Sequence, residues 1–61
     1  MNYENIVYET ALELKDKDNL CLISDIIKEI GIGHDELKEA VNMLERKGLI
    51  KRTSIDDILI L

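Results

Sequence analysis

Apolar residues near the start of this chain recur at steps of three and four. The stripe consists of Tyr3, Ile6, Val7, Ala11 and Leu14. Such spacing is typical of an amphipathic helix with one face against a core, so we predict a first helix over residues 2–15. Residues 16–19 then break the period. A polar turn is expected there, with its two aspartates in solvent.

A short apolar run and a second periodic segment follow that turn. Leu20-Cys21-Leu22 is too brief for a helix and is consistent with either a small strand or an extended link. Ser24 stands where it could cap a second helix, predicted over residues 24–30. The apolar residues of this helix are Ile26, Ile27 and Ile30. Gly31 is expected to end it, because glycine adopts positive φ at little cost.

A third helix is predicted over residues 34–47. Gly33 is an acceptable N-cap, and the Glu36 side chain is placed to reach back to its N–H. The predicted buried stripe is Leu37, Ala40, Val41 and Leu44, which should meet Ile27 and Ile30 of the second helix. Gly48 is expected to close this helix.

The last segment has the pattern of an antiparallel hairpin over residues 49–61. Its two predicted strands, residues 49–54 and 58–61, are separated by Ile55-Asp56-Asp57. The loop is short and lacks glycine, and its aspartates are expected to be solvated. The pattern of the whole chain therefore predicts an α+β domain of three helices and a C-terminal hairpin, occupying residues 1–61.

Composition limits the chemistry available to this chain of 61 residues, whose net charge is −5. One cysteine and one histidine cannot complete a four-ligand zinc site, and neither a metal nor a cofactor is expected. No leader or membrane-spanning run is evident, so we expect a cytoplasmic protein that does not associate with membranes.

No group of residues in the sequence has the pattern of a catalytic site. The aspartate pairs lie in polar turns, where nothing desolvates them to shift a pKa. His34 is expected at the surface, and Cys21 is expected to be a small buried apolar residue. We therefore expect no catalytic residues and no enzymatic activity.

The order of the elements, which is helix, short strand, helix, turn, helix and hairpin, resembles the winged helix-turn-helix family over nearly the whole chain. The residues that carry the resemblance are 24–32, for a helix and turn, and Leu44-Glu45-Arg46-Lys47-Gly48-Leu49-Ile50, for the exit from the third helix into a strand. The resemblance implies a winged helix-turn-helix fold. It also implies double-stranded DNA binding as a small transcriptional regulator, with the third helix toward the major groove and the hairpin on the backbone.

The residues expected to contact DNA follow from that implied placement. They are Lys38, Asn42, Arg46, Lys47, Lys51 and Arg52. Lys38 and Asn42 are residue types that donate to purine edges, and the other four form the main basic cluster of the chain. The alternative is that this cluster is a solvated helix end, where cations are favoured by the helix dipole.

The exposed face of the third helix departs from a typical DNA reader. It carries Asp35, Lys38, Glu39, Asn42, Glu45 and Arg46, three acids and two bases, for a formal sum of −1. The alternative function is therefore a protein-interaction module that uses the same fold without DNA.

Additional apolar residues indicate a homodimer. Tyr8 and Leu12 lie off the core stripe of the first helix, and the terminal run 58–61 has no polar face. We expect a dimer interface formed by Tyr8, Leu12, Leu59 and Leu61. The alternative is a monomer whose first helix folds across the sheet and covers both surfaces.

Overall fold

The computed structural model describes residues 3–61, which form an α+β domain with three helices and a three-stranded antiparallel sheet. In chain order, the elements are α1 (Glu4–Leu14), β1 (Leu20–Leu22), α2 (Ile23–Ile30), α3 (His34–Arg46), β2 (Ile50–Arg52) and β3 (Asp57–Ile60). The three predicted helices are confirmed within two residues at each described end. The predicted start at Asn2 lies outside the described residues.

The sheet has the strand order β1-β3-β2, with both pairings antiparallel. The predicted hairpin is present as β2 and β3, but the prediction that it forms the strands alone is wrong. Leu20–Leu22, predicted as either a strand or a link, is a strand that pairs with the free edge of β3. A strand paired on both edges satisfies its backbone groups on both sides, which suits the fully apolar sequence from Ile58 onward.

The register divides the sheet into two faces. Cys21, Ile58 and Arg52 lie side by side on the face toward the helices, together with the pair Ile50 and Ile60. Alternate residues point to the other face. The leucines of that outer face, which we call the leucine face, are Leu20, Leu22, Leu49, Leu59 and Leu61. Leu49 and Leu61 extend the register, since the N–H of Leu61 donates to the carbonyl of Leu49 at 3.0 Å.

The core lies between the inner face of the sheet and the three helices. Its buried side chains are Val7, Ala11, Cys21, Ile26, Leu37, Ala40, Val41, Leu44, Ile50, Ile58 and Ile60. The predicted stripe of α3 is confirmed in full. In α2 the fully buried residue is Ile26, whereas Ile27 and Ile30 are half-buried and pack against the core from its edge.

The predicted core stripe of α1 is partly wrong, because Ile6 and Leu14 are exposed to 46% and 38%. The buried face is centred on Val7 and Ala11, one turn apart, and it also includes Thr10 and Glu4. The Glu4 Oε1 atom lies 2.8 Å from the Lys47 Nζ atom just after α3. A carboxylate can occupy this position because a cation pairs with it.

Two turns position the helices relative to one another. Gly31 has a φ of +76° and ends α2 in the left-handed conformation, as predicted. Between α1 and β1, the Asp16 Oδ1 atom accepts from the N–H groups of Asp18 and Leu20 at 2.8 and 3.0 Å. Asp16 therefore orders the predicted polar turn while its side chain stays exposed.

Candidate functional site

A cleft of about 370 Å³ lies between the first half of α3, the start of α2 and the β2–β3 loop. Its lining residues are Ile23, His34, Asp35, Leu37, Lys38, Val41, Arg52 and Ile55. Leu37 and Val41 are buried and form an apolar floor, whereas His34 and Lys38 are exposed at the rim. The cleft therefore combines a fixed apolar base with polar groups that face solvent.

Helical periodicity explains which α3 residues reach the cleft. His34, Lys38 and Val41 follow one another at steps of four and three, which places them on one side of the helix. The start of that helix is held as predicted, because the Glu36 Oε2 atom accepts from the Gly33 N–H at 3.0 Å. His34 and Lys38 thus project from a rigid element.

Arg52 supplies the cationic group on the opposite wall. It is half-buried, and its backbone N–H donates to the Glu45 Oε2 atom of α3 at 3.2 Å. The Arg52 Nε atom is buried and has no hydrogen-bond acceptor among residues 3–61. An external ligand cannot reach a buried Nε, so Arg52 contributes to the cleft through the positive charge of its guanidinium.

The β2–β3 loop is anchored to α2 through Asp56. The Asp56 carbonyl accepts from the Ile23 N–H at 2.7 Å. The Asp56 carboxylate accepts from the Ser24 N–H at 3.2 Å and from the Ser24 hydroxyl at 3.1 Å. These bonds satisfy donors in the first turn of α2. The neighbouring Ile55 is 96% exposed and stands at the cleft margin.

The prediction that Ser24 caps α2 is therefore wrong. The helix begins at Ile23 after the apolar Leu22, which has no side-chain acceptor, and Ser24 lies inside the first turn. The capping acceptor comes from Asp56, expected to be a solvated loop residue but in fact half-buried and bonded. The only local signal in the sequence was the absence of a polar residue immediately before Ile23.

The structure separates the six residues predicted to contact DNA. Lys38 and Arg52 meet at the cleft, whereas Asn42 and Arg46 lie exposed farther along α3. Lys47 pairs with Glu4 on α1. Lys51 pairs in register with Leu59, so alternation places it on the leucine face, away from Arg52.

The acids near the cleft offset its positive charge. Lys38 and Arg52 contribute two positive charges and Asp35 one negative charge among the lining residues. Glu45 adds a second negative charge, because its Oε2 atom accepts from the Arg52 backbone N–H at 3.2 Å. The formal sum is zero with His34 neutral, so the cleft is less negative than the domain as a whole, whose net charge is −5.

The residues predicted to form a dimer interface lie in different surroundings. Tyr8 is half-buried and packs against the core, and Leu12 is 39% exposed on α1. Leu59 and Leu61 belong to the leucine face, and Leu61 is 66% exposed. These positions do not test dimerisation, which stays a prediction.

Cys21 is buried, as predicted, on the inner face of the sheet. Burial raises the pKa of the Cys21 thiol to about 11, and the negative charges of Asp25 and Asp16 act in the same direction. A buried thiol with a raised pKa is a poor nucleophile at neutral pH. Within residues 3–61, no cluster of three or more histidine, cysteine or acidic side chains could hold a metal ion.

Comparisons of this chain with protein-family models, with curated proteins and with solved structures found no match. None of the helices in residues 3–61 is both long and apolar enough to cross a membrane.

Proposed function

We propose that this domain is a winged helix-turn-helix module that binds double-stranded DNA as a small transcriptional regulator. In this proposal α3 lies toward the major groove, the β2–β3 hairpin is the wing, and the cleft between them receives a backbone phosphate. The observation that carries the proposal is the meeting of two cationic side chains, Lys38 and Arg52, in one cleft that His34 also lines. Phosphate oxygens are strong acceptors for such groups.

Positions along α3 divide the proposed contacts into two kinds. Lys38 and Arg52 would bind the phosphate, which positions the protein without reading sequence. Asn42 is exposed one turn beyond Lys38 and would face base edges, where an amide can pair with adenine in a bidentate manner. Arg46, at the end of α3, would contact the backbone beyond the base edges. The net charge of −5 implies weak binding that falls steeply with salt.

The test is DNA affinity measured across a salt series for paired charge variants. Lys38→Gln with Arg52→Gln should weaken binding to all sequences alike and flatten the salt dependence by about two units of slope. The control, Lys17→Gln with Lys28→Gln, removes the same charge from residues outside the cleft and should change the slope much less. Asn42→Ala should weaken the preferred site selectively, by about 1–3 kcal/mol.

Two results would overturn the proposal. One is a complete lack of binding to any duplex at about 50 mM salt. The other is a cleft variant whose affinity and salt slope equal those of the lysine control. The second candidate, binding to a basic protein surface, is favoured by the exposed face of α3, whose acids outnumber its bases by three to two. It would take first place after either result.

A further inference from the structure

The leucine face is an apolar sheet surface that no element of the described domain covers. Leu22 and Leu61 are exposed to 43% and 66%, and Leu49 to 36%, although all three belong to or extend paired strands. Helices α1, α2 and α3 pack on the opposite side, where the buried residues of the sheet lie. Exposed leucines grouped on one face of a paired sheet are a candidate interaction surface.

Two charged residues share this face and have opposite signs. Lys51 lies beside Leu59 on β2, and Asp57 lies beside Leu22 on β3. The face therefore has a formal charge of zero, although the domain carries −5. Two copies could bring these faces together without adding like charges to the contact.

Part of this face can be brought onto a second copy by a diagonal two-fold axis. One row across the sheet holds Leu20, Leu59 and Lys51; the rows on either side hold Leu22 with Asp57, and Leu61 with Leu49. A two-fold axis that lies in the plane of the interface, crosses Leu59 and runs between Lys51 and Asp57 exchanges Leu20 with Leu61, and Lys51 with Asp57. With strands ~4.8 Å apart and ~6.8 Å between same-face residues, these two pairs superpose to within roughly 3 Å.

We propose that the leucine face binds a second copy of this chain in an isologous, face-to-face dimer. Leu59 meets the partner's Leu59 on the axis, and Lys51 meets the partner's Asp57 on both sides of it. The strands of the two sheets cross at roughly 70°, nearer to the orthogonal class of sheet packing than to the aligned one. Arg52 points to the other face of its own sheet, so the dimer leaves the cleft open and is independent of the proposed function.

The size of this surface determines how tightly such a dimer binds. Three strands span about 14 Å, and five residues along a strand span about 17 Å, so each copy contributes roughly 240 Å² in projection. Two copies together contribute roughly 480 Å² of projected area, below the ~1,200 Å² of standard specific interfaces. We therefore expect a weak, reversible dimer rather than an obligate one.

The first test is a charge exchange followed by sedimentation equilibrium up to about 1 mM protein. Lys51→Asp alone and Asp57→Lys alone should each weaken the dimer about tenfold or more, because each places like charges together twice. The double exchange should restore it, while Lys17→Asp should leave dimerisation unchanged. A monomeric parent protein at about 1 mM, or a double variant that dimerises no better than folded single variants, would overturn the proposal.

The second test uses the residue on the proposed axis and does not depend on changing charge. In a Cys21→Ala background, Leu59→Cys should form an intermolecular disulfide under mild oxidation, since a residue on a two-fold axis lies next to its own copy. Leu12→Cys is the matched control on α1. Cross-linking through Leu12 that is as fast as through Leu59 would refute the leucine-face dimer.

Discussion

Helices α2 and α3 follow each other through a short turn, yet their N-termini are stabilised in different ways. At α3 the cap is local, because Glu36 accepts from Gly33 three residues earlier. At α2 the cap comes from Asp56, which is 32 residues away from Ser24 in the chain. A capping side chain can thus come from the first turn of its own helix or from a segment that is distant in the sequence.

This difference determines what each cap contributes to the domain. Loss of the Glu36 bond frees one N–H at the beginning of a helix whose other side is buried in the core. Loss of the Asp56 carboxylate removes the acceptor for two Ser24 donors and loosens the β2–β3 loop at the cleft margin. The remote cap should therefore contribute more to stability, and it should also affect the geometry of the cleft.

The largest loss of stability should come from a change in the core that both helices share. The losses from the two caps are compared with it. Leu44→Ala should lower the free energy of unfolding by about 2–5 kcal/mol, because Leu44 is 2% exposed and its removal leaves a cavity. The control is Met43→Ala, at an exposed position of the same helix. Urea titration measures both, and a loss below about 1 kcal/mol at Leu44 would mean that packing does not exceed capping.

The next effect concerns the remote cap. Asp56→Ala should lower the free energy of unfolding by about 1–2 kcal/mol, since the N–H and the hydroxyl of Ser24 at the start of α2 lose their acceptor. Asp18→Ala removes the same side chain from the exposed α1–β1 turn and should change stability by less than about 0.5 kcal/mol. Equal losses for the two variants in urea titration would contradict the assignment of Asp56 as the cap of α2.

The local cap should have a smaller effect. Glu36→Ala should lower the free energy of unfolding by about 0.5–1 kcal/mol, while Glu36→Gln keeps an acceptor oxygen and should retain part of that stability. Combining Glu36→Ala with Asp56→Ala should give the sum of the two losses, because the caps share no partner. A larger loss at Glu36 than at Asp56 would reverse the comparison.

The smallest effect is a pH dependence next to the α2 terminus. The folded-state pKa of Cys21, about 11, is above the ordinary thiol value of 9.0. The unfolded thiol therefore ionises first, so its contribution to stability is complete at neutral pH, begins to fall as the pH approaches 9 and is lost as the pH rises through 11. Between about pH 7 and pH 9 the loss should be about 0.4 kcal/mol. Urea titrations at both pH values should show a smaller decrease in the free energy of unfolding for Cys21→Ala than for the parent protein. An equal decrease in the two proteins would refute the linkage.

Local chemistry explains which parts of the fold and the cleft could be predicted from the sequence. The start of α3, its buried stripe and the turn at Gly31 depend on residues within one or two helical turns, and all were predicted. The Asp56 cap could not be predicted, because its two partners become neighbours only after the chain has folded. The exposure of Ile6 had a similar cause, since packing against α2 and α3 determines the rotation of α1.

The predicted basic cluster was grouped by nearness along the chain. The sequence also contained a signal against that grouping, which is the alternation of side chains along a strand. Lys51 and Arg52 are adjacent, and strand alternation alone directs their side chains to opposite faces. Lys38 and Arg52, by contrast, are 14 positions apart and meet at the cleft. Alternation could have divided the cluster in two, whereas the pairing of Lys47 with Glu4 required knowledge of how α1 packs.

The strand order also has a consequence for the timing of folding during synthesis. The central strand, β3, comes last in the sequence, so neither β1 nor β2 has its pairing partner until residues 57–60 have been made. Asp56, just before β3, is likewise missing from the start of α2 until then. A nascent chain can form transient helices, but it has no sheet against which they can pack. The backbone groups of its two outer strands stay unpaired and can hydrogen-bond to other chains. Ribosome-bound chains halted before residue 57 should therefore be readily digested by protease, and protection should arise in one step once β3 has emerged.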